Sequence, residues 1–250
     1  MNTIALMYHG IFSEHHAVSN MPAEDLPYAV SEATFAEHLS LLNDKSVQLT
    51  FDDGDAGWYY SALPLLEKFR RKAIFFVTPE LIEKPGYCTW EQLRALVLAG
   101  HKVGTHGLTH RFLPDLTEQQ CIEELVSSKS ILEEKLDVNV TTLSFPGGRF
   151  GRREVQLAKR AGYQFCFTSE PGRLKVFDID TPMGGGRNQA SILEPRIAIR
   201  ADTSPDWLVG LIDGRTTLWG RIYVAHWIKL TLKKLLGNQG YHGLYRLLRS

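Results

Sequence analysis

The chain has 250 residues, 44% hydrophobic and 22% charged, an ordinary globular composition with length for one large α/β barrel or two small domains. Its 28 basic and 28 acidic residues cancel, so no global charge points to nucleic acid or an acidic partner, and any charge argument is local. Three widely spaced cysteines, Cys88, Cys121 and Cys166, fit neither a disulfide framework nor a paired-cysteine zinc site, and no stretch approaches the roughly 20 apolar residues of a membrane span.

Ile4 to Met7 reads as a first strand. The residues around it lack a basic start, and the apolar run breaks at His9, too short for a signal peptide core. The expectation is a cytoplasmic protein unless a leader preceded Met1. Ser31 caps a helix whose Phe35, Leu39 and Leu42 recur at helical spacing, and Val47 to Phe51 is a second strand. Tyr59 to Arg71 is helical, with Pro64 in a first turn or at a kink, and Ala73 to Val77 is a third strand. Glu91 to Leu98 is a helix closed by Gly100, His101 to Thr105 a strand, and Thr117 opens a long helix to Leu136. Strand Thr141 to Phe145, helix Arg152 to Ala161, and strands Tyr163 to Thr168 and Arg196 to Arg200 follow. Phe177 to Glu194, with three consecutive glycines and Pro182, reads as a long loop near the barrel mouth. Strands alternating with helices over about 200 residues predict an α/β fold with a parallel sheet, and the number of units favours a barrel over an open sheet.

In parallel β/α barrels the catalytic groups stand at the C-terminal ends of strands, where the loops converge on one mouth. Here His9 follows the first strand, Asp52 and Asp53 the second, His106 the strand ending at Thr105, and Pro146-Gly147-Gly148 the strand ending at Phe145. Taken singly, each signal is weak. With 9 histidines in the chain, a pair spaced like His106 and His110 arises by chance in roughly one chain in three. Asp52-Asp53-Gly54 also fits a turn that satisfies its own backbone, and Tyr8-His9 a packed core histidine. Combined, the groups are specific: two imidazoles and one carboxylate make a three-ligand set that leaves a metal position open for water. Neighbouring residues at a strand end point in different directions, so one aspartate ligates while the other reaches the water as base.

Thr50-Phe51-Asp52-Asp53-Gly54-Asp55, His106-Gly107-Leu108-Thr109-His110 and Ser144-Phe145-Pro146-Gly147-Gly148, in this order, resemble the motifs of the polysaccharide deacetylases, also called the NodB-homology or carbohydrate esterase family four domain. The resemblance covers residues 1–200 and implies a distorted parallel (β/α) barrel of about seven strands. It also implies one divalent metal ion, usually zinc, and hydrolysis of N-acetyl groups on amino sugars. By position it implies Asp53, His106 and His110 as metal ligands and Asp52 as base. The loop Pro146, Gly147, Gly148 and Arg149 is then the segment that shapes the substrate groove and offers a backbone N–H to the oxyanion. That motif usually ends in Pro-Tyr, which leaves open which N–H donates here. The late Leu-x-His motif, whose histidine protonates the leaving amine, is missing around Pro195-Arg196-Ile197-Ala198-Ile199-Arg200. Members that begin with a Met-Tyr-His element, as at Met7-Tyr8-His9, supply that acid from the first strand, which implies His9. Arg196 corresponds by analogy to an arginine that orients the base.

The chain divides into a barrel domain, 1–203, and a C-terminal extension, 204–250. From Arg215 onward, Arg215, Arg221, Lys229, Lys233, Lys234, Arg246 and Arg249 occur without an acidic residue, interleaved with Trp219, Tyr223, Trp227, Tyr241 and Tyr245. Such a basic, aromatic helical stretch is either an extension packed on the barrel or a peripheral contact with anionic membrane. The leading expectation is a metal-dependent deacetylase of an N-acetylated glycan or glycan precursor. Its competitors are a hydrolase of a small cyclic amide or ureide on the same fold and a catalytically silent carbohydrate-binding module, which the intact aspartates and histidines disfavour.

Overall fold

The computed structural model describes residues 3–13, 26–42, 45–174 and 192–247. The chain forms two compact units, Met1–Pro205 and Asp206–Ser250, against a boundary expected after residue 203. In chain order the first unit contains β1 (Ile4–Tyr8), β2 (Ile11–Phe12), β3 (Val30–Ser31), α1 (Glu32–Leu41), β4 (Val47–Asp53), α2 (Leu63–Lys68), β5 (Ala73–Val77), α3 (Trp90–Leu98), β6 (Lys102–Thr105), α4 (Glu118–Leu136), β7 (Thr142–Ser144), α5 (Arg152–Arg160), β8 (Phe165–Phe167), β9 (Ile192–Glu194) and β10 (Ile197–Ala198).

Eight strands pair in parallel in the order β10-β1-β4-β5-β6-β7-β8-β9, while β2 and β3 form a separate parallel pair. The expected distorted parallel barrel is therefore present. β9 and β10 are two halves of one short run of chain: the first pairs with β8 and the second with β1, so this run closes the curled sheet. Counted as one stave, it makes the eight hydrogen-bonded strands a barrel of about seven. Ile192–Glu194 is thus a strand and not the end of a loop, a correction to the expectation; residues 177–191 of that loop lie outside the described residues. Three residues before a proline carry no readable period, and only the pairing with β8 makes them a strand.

The local rules explain most of the remaining elements. β1 and β5 are buried at every residue, as strands covered on both faces must be. Ser31 Oγ accepts the Thr34 N–H at 3.0 Å, and Thr89 and Thr117 form capping boxes with Gln92 and Gln120, each cap contributing about 1 kcal/mol. A π-helical turn, Trp58–Ala62, leads into α2, whose first turn holds Pro64.

Register divides the side chains into two faces. Tyr8, Phe51 and Phe75 are aligned and stacked on the helix-covered face, with ring centroids 5.4 and 4.8 Å apart, and Phe35 and Trp58 pack edge-on against them. Thr50, Asp52, Ile74 and Phe76 point the other way. Ile74 and Phe76 meet Phe165 and Phe167 from β8, three places along the sheet, so this second face is the inside of the barrel.

The C-terminal part of the chain contains two helices, α6 (Pro205–Ile212) and α7 (Thr216–Leu247). Trp219 donates its indole N–H to the Leu211 carbonyl at 3.0 Å, and Arg215 pairs with Asp206 at 3.1 Å.

Candidate active site

Strand alternation sends Asp52 inside the barrel and would send Asp53 outward beside Val77. Asp53 departs from it. Its φ of +92°, followed by +128° at Gly54, turns the chain at the strand end, a conformation that costs an aspartate on the order of 1–3 kcal/mol. The two carboxylates therefore converge, where strand geometry alone had them diverge: Asp52 Oδ2 lies 3.7 Å and Asp53 Oδ1 3.5 Å from the same atom, His106 Nε2.

His106 leaves the end of β6 and is buried, with its backbone N–H on the Val77 carbonyl and its own carbonyl accepting from Thr78 Oγ1. Its Nδ1 lies 2.9 Å from the Ser144 carbonyl oxygen, which can only accept, so Nδ1 carries the proton and Nε2 keeps its lone pair for the aspartate side. Burial pushes the imidazole down to about 3 against the pull of Asp52, so it is neutral at neutral pH, the state a metal ligand requires. His110, also at positive φ (+65°), brings Nε2 to 3.3 Å from Asp53 Oδ1. Between the two histidines the loop is held from α4 by buried Glu124. Its carboxylate accepts the N–H groups of Leu108 and Thr109, at 2.7 and 3.0 Å, and the Thr109 hydroxyl. One ligand atom from each of Asp53, His106 and His110 lies within 4.8 Å of the others, and among the described residues no other group of this kind occurs. Two imidazoles and a carboxylate suit zinc, and three protein donors leave a coordination position open.

Arg196, expected beside Asp52, enters the barrel between β9 and β10 and is wholly buried. Nη1 and Nη2 donate to Asp52 Oδ1 and Oδ2 at 2.6 and 2.8 Å, a bidentate pair. The same guanidinium donates to Thr50 Oγ1, Ser144 Oγ and the Thr168 carbonyl, and lies over Phe76 and Phe167. Ser144 Oγ in turn donates to Asp52 Oδ2 at 3.0 Å. Burial alone would raise the Asp52 pKa; the charges of Arg196 and His106, with the Arg196 hydrogen bonds, overcome it and hold the carboxyl well below the usual range.

Pro146–Gly148 forms one 3-10 turn after β7, with Gly147 and Gly148 at φ of +61° and +62°. Gly148 N–H closes on the Phe145 carbonyl and Arg149 N–H on the Pro146 carbonyl. Proline has no N–H, so the Gly147 N–H is the one in this segment that closes no turn. A Cβ at Gly147 would meet the Phe112 ring at 2.5 Å. The Arg149 guanidinium lies 3.8 Å from the centroid of that ring and 3.7 Å from Asp115, turned toward the 112–115 segment. His9 follows β1 on the side to which alternation also brings Asp52, and its ring packs against Tyr28 at 5.0 Å. Its carbonyl accepts from Trp58 Nε1, and its Nδ1 is buried without a hydrogen-bond partner.

Sequence reading missed two residues with clear roles in this geometry. Ser144 was visible only as a letter of its motif, whereas its hydroxyl and carbonyl contact Asp52, Arg196 and His106 at once. Glu124 had a signal that went unused: an acid on the stripe of α4 that carries buried Cys121, Leu125 and Ser128.

A family model described as Polysaccharide deacetylase matches residues 41–166, a span that contains Asp52, Asp53, His106, His110 and Pro146 to Arg149 but not His9 or Arg196. The chain is 33% identical over 130 residues to YxkH of Bacillus subtilis (strain 168), whose name describes a polysaccharide deacetylase, across 52% of this chain and 47% of that protein. It is 25% identical over 183 residues to the poly-β-1,6-N-acetyl-D-glucosamine N-deacetylase of Escherichia coli (strain K12), across 56% and 27% respectively. The chain therefore spans less than half the length of either relative. The solved structure of the Streptococcus pyogenes deacetylase PplD in complex with acetate shares the fold, with a TM-score of 0.68 at 23% identity over 85% of this chain and 98% of that one.

Proposed function

The chain belongs to the polysaccharide deacetylase family, and from that premise we propose that it is a metal-dependent hydrolase that removes N-acetyl groups from the amino sugars of a polysaccharide or glycan precursor. The observation that carries this reading is the convergence of Asp53, His106 and His110 beside an Asp52 kept ionised by Arg196. The substrate class follows the name of the Escherichia coli relative, which acts on an N-acetylglucosamine polymer.

Asp53, His106 and His110 would hold the ion, and their donor chemistry favours zinc. When bound, such an ion polarises a carbonyl and lowers the pKa of a water to about 7. The chain's own residues do the rest. Asp52, fixed by Arg196 and Ser144, takes the proton of the water that attacks the acetyl carbon. The Gly147 N–H, bound in no turn, donates to the acetyl oxygen as negative charge gathers there. When the C–N bond breaks, the nitrogen departs as a strongly basic amine and must be protonated. His9, with its unbonded Nδ1, is assigned that delivery, and Arg196 is assigned the orientation of Asp52. The water oxygen ends in acetate, and the sugar keeps a free amine.

The direct test is to incubate zinc-loaded full chain with a panel of N-acetylated oligosaccharides and to assay released acetate. Acetate and free amine in equal amounts are expected. Protein with stoichiometric metal that releases none from any member of the panel would overturn the reading.

A further inference from the structure

The deacetylase reading makes no use of α7. Its first turns are anchored within the second unit, where Trp219 is buried against Leu211 and Arg215 holds Asp206. Beyond them, six large apolar side chains stand exposed: Tyr223, Val224, Trp227, Ile228, Leu230 and Leu235, with Trp227 at 67% and Leu235 at 75%. At 3.6 residues per turn these positions share one half of the helix circumference, while Arg221 and Lys229 belong to the other half. Single exposed apolar residues need no explanation, but a contiguous set along a helix marks a surface that something covers.

Charge decides what that is. Residues 216–250 carry six lysines and arginines and no acidic residue, which leaves 22 basic and 28 acidic residues before them. The neutral total is thus a segment of +6 attached to a remainder of −6. Two copies of α7 packed together would oppose like charges along their length. An anionic bilayer attracts this segment, repels the remainder, and accepts tyrosine, tryptophan and aliphatic side chains at the level of its headgroups. No helix among the described residues is long and apolar enough to cross a membrane, so the contact is peripheral.

We infer that α7 is an interfacial helix that docks the protein on an anionic lipid bilayer through its Tyr223, Trp227 and Leu230 side, with Arg221 and Lys229, on the other half of the helix, held within reach of the negative surface potential. The inference stands on α7 alone and is independent of the deacetylase reading.

The test is co-sedimentation of the full chain with phosphatidylcholine vesicles containing phosphatidylglycerol, compared with pure phosphatidylcholine, at low and high salt. Binding to the anionic vesicles alone, lost at high salt, is expected. Each basic residue near such a surface contributes about a fivefold factor, so Arg221→Gln with Lys229→Gln should weaken partitioning by about 30-fold. Trp227→Ser with Ile228→Ser, both at exposed positions, should abolish it while acetate release from a soluble substrate is unchanged. Equal partitioning to neutral vesicles, or no loss in the serine variant, would overturn the inference. So would sedimentation velocity showing a dimer that the serine variant dissociates, since the surface would then belong to a second copy.

Discussion

The pair Arg196–Asp52 offers the sharpest test of how this site is built. Replacing Arg196 by methionine keeps most of the volume but leaves a carboxylate buried inside the barrel with Ser144 as its remaining donor among the bonds described above. The side chains are 0% and 3% exposed, so solvent does not screen the pair. Two unit charges whose centres are about 4 Å apart attract by about 4 kcal/mol at an effective dielectric constant of 20. Breaking a buried pair from one side costs about 3–5 kcal/mol for the same reason. Arg196→Met should therefore lose about that much stability, and Asp52→Asn, which leaves a buried guanidinium facing a neutral amide, a comparable amount. The double variant has no buried charge at this place and should recover much of both losses. Urea unfolding of the four chelator-treated proteins, followed by circular dichroism, measures the cycle. If the two losses add to within about 0.5 kcal/mol, the residues do not act as a pair and the account of Asp52 is wrong.

The metal assignment predicts that His106→Ala with His110→Ala binds no zinc by elemental analysis, that Asp53→Asn also loses it, and that Asp52→Asn retains it while turnover falls by about 10²–10⁴-fold; retention by the double histidine variant refutes the ligand set. His9→Ala should depress N-acetyl hydrolysis about 10²-fold or more beyond its effect on an activated aryl acetate, whose phenolate leaves without a proton, with metal content unchanged; equal losses on the two substrates would show that His9 is not the acid. His101, buried with Nδ1 accepting from the Ala73 N–H, has its pKa lowered from 6.5 to about 4 first by burial and then by Lys72. The unfolded chain thus takes up this proton before the folded one, and stability present above pH 6.5 is lost as pH falls toward about 4, by about 3 kcal/mol in all. His101→Gln, which keeps an acceptor for Ala73, should flatten the stability profile across that window; an unchanged slope in denaturant titrations would remove the explanation.

The sequence by itself determined the alternation of strands and helices, the caps at Ser31 and Thr117, and the set of residues that could form a site. These depend on local preferences: burial of apolar runs, N-cap chemistry, and the rule that loops after parallel strands share one mouth. Tertiary structure decided the rest. Alternation predicts that Asp52 and Asp53 diverge, and the left-handed turn at Asp53 and Gly54 makes them converge on His106. Nothing local in Pro195-Arg196 announces a buried arginine; it is stable there because Asp52, Thr50, Ser144 and Thr168, from three other strands or their ends, surround it with acceptors. Ile192–Glu194 became a strand only through β8, and Glu124 became the support of the histidine loop only because α4 packs beneath it. Each of these outcomes joins residues far apart in the chain, where cross-strand pairing and the cost of a buried unpaired charge, and no local preference, select the conformation.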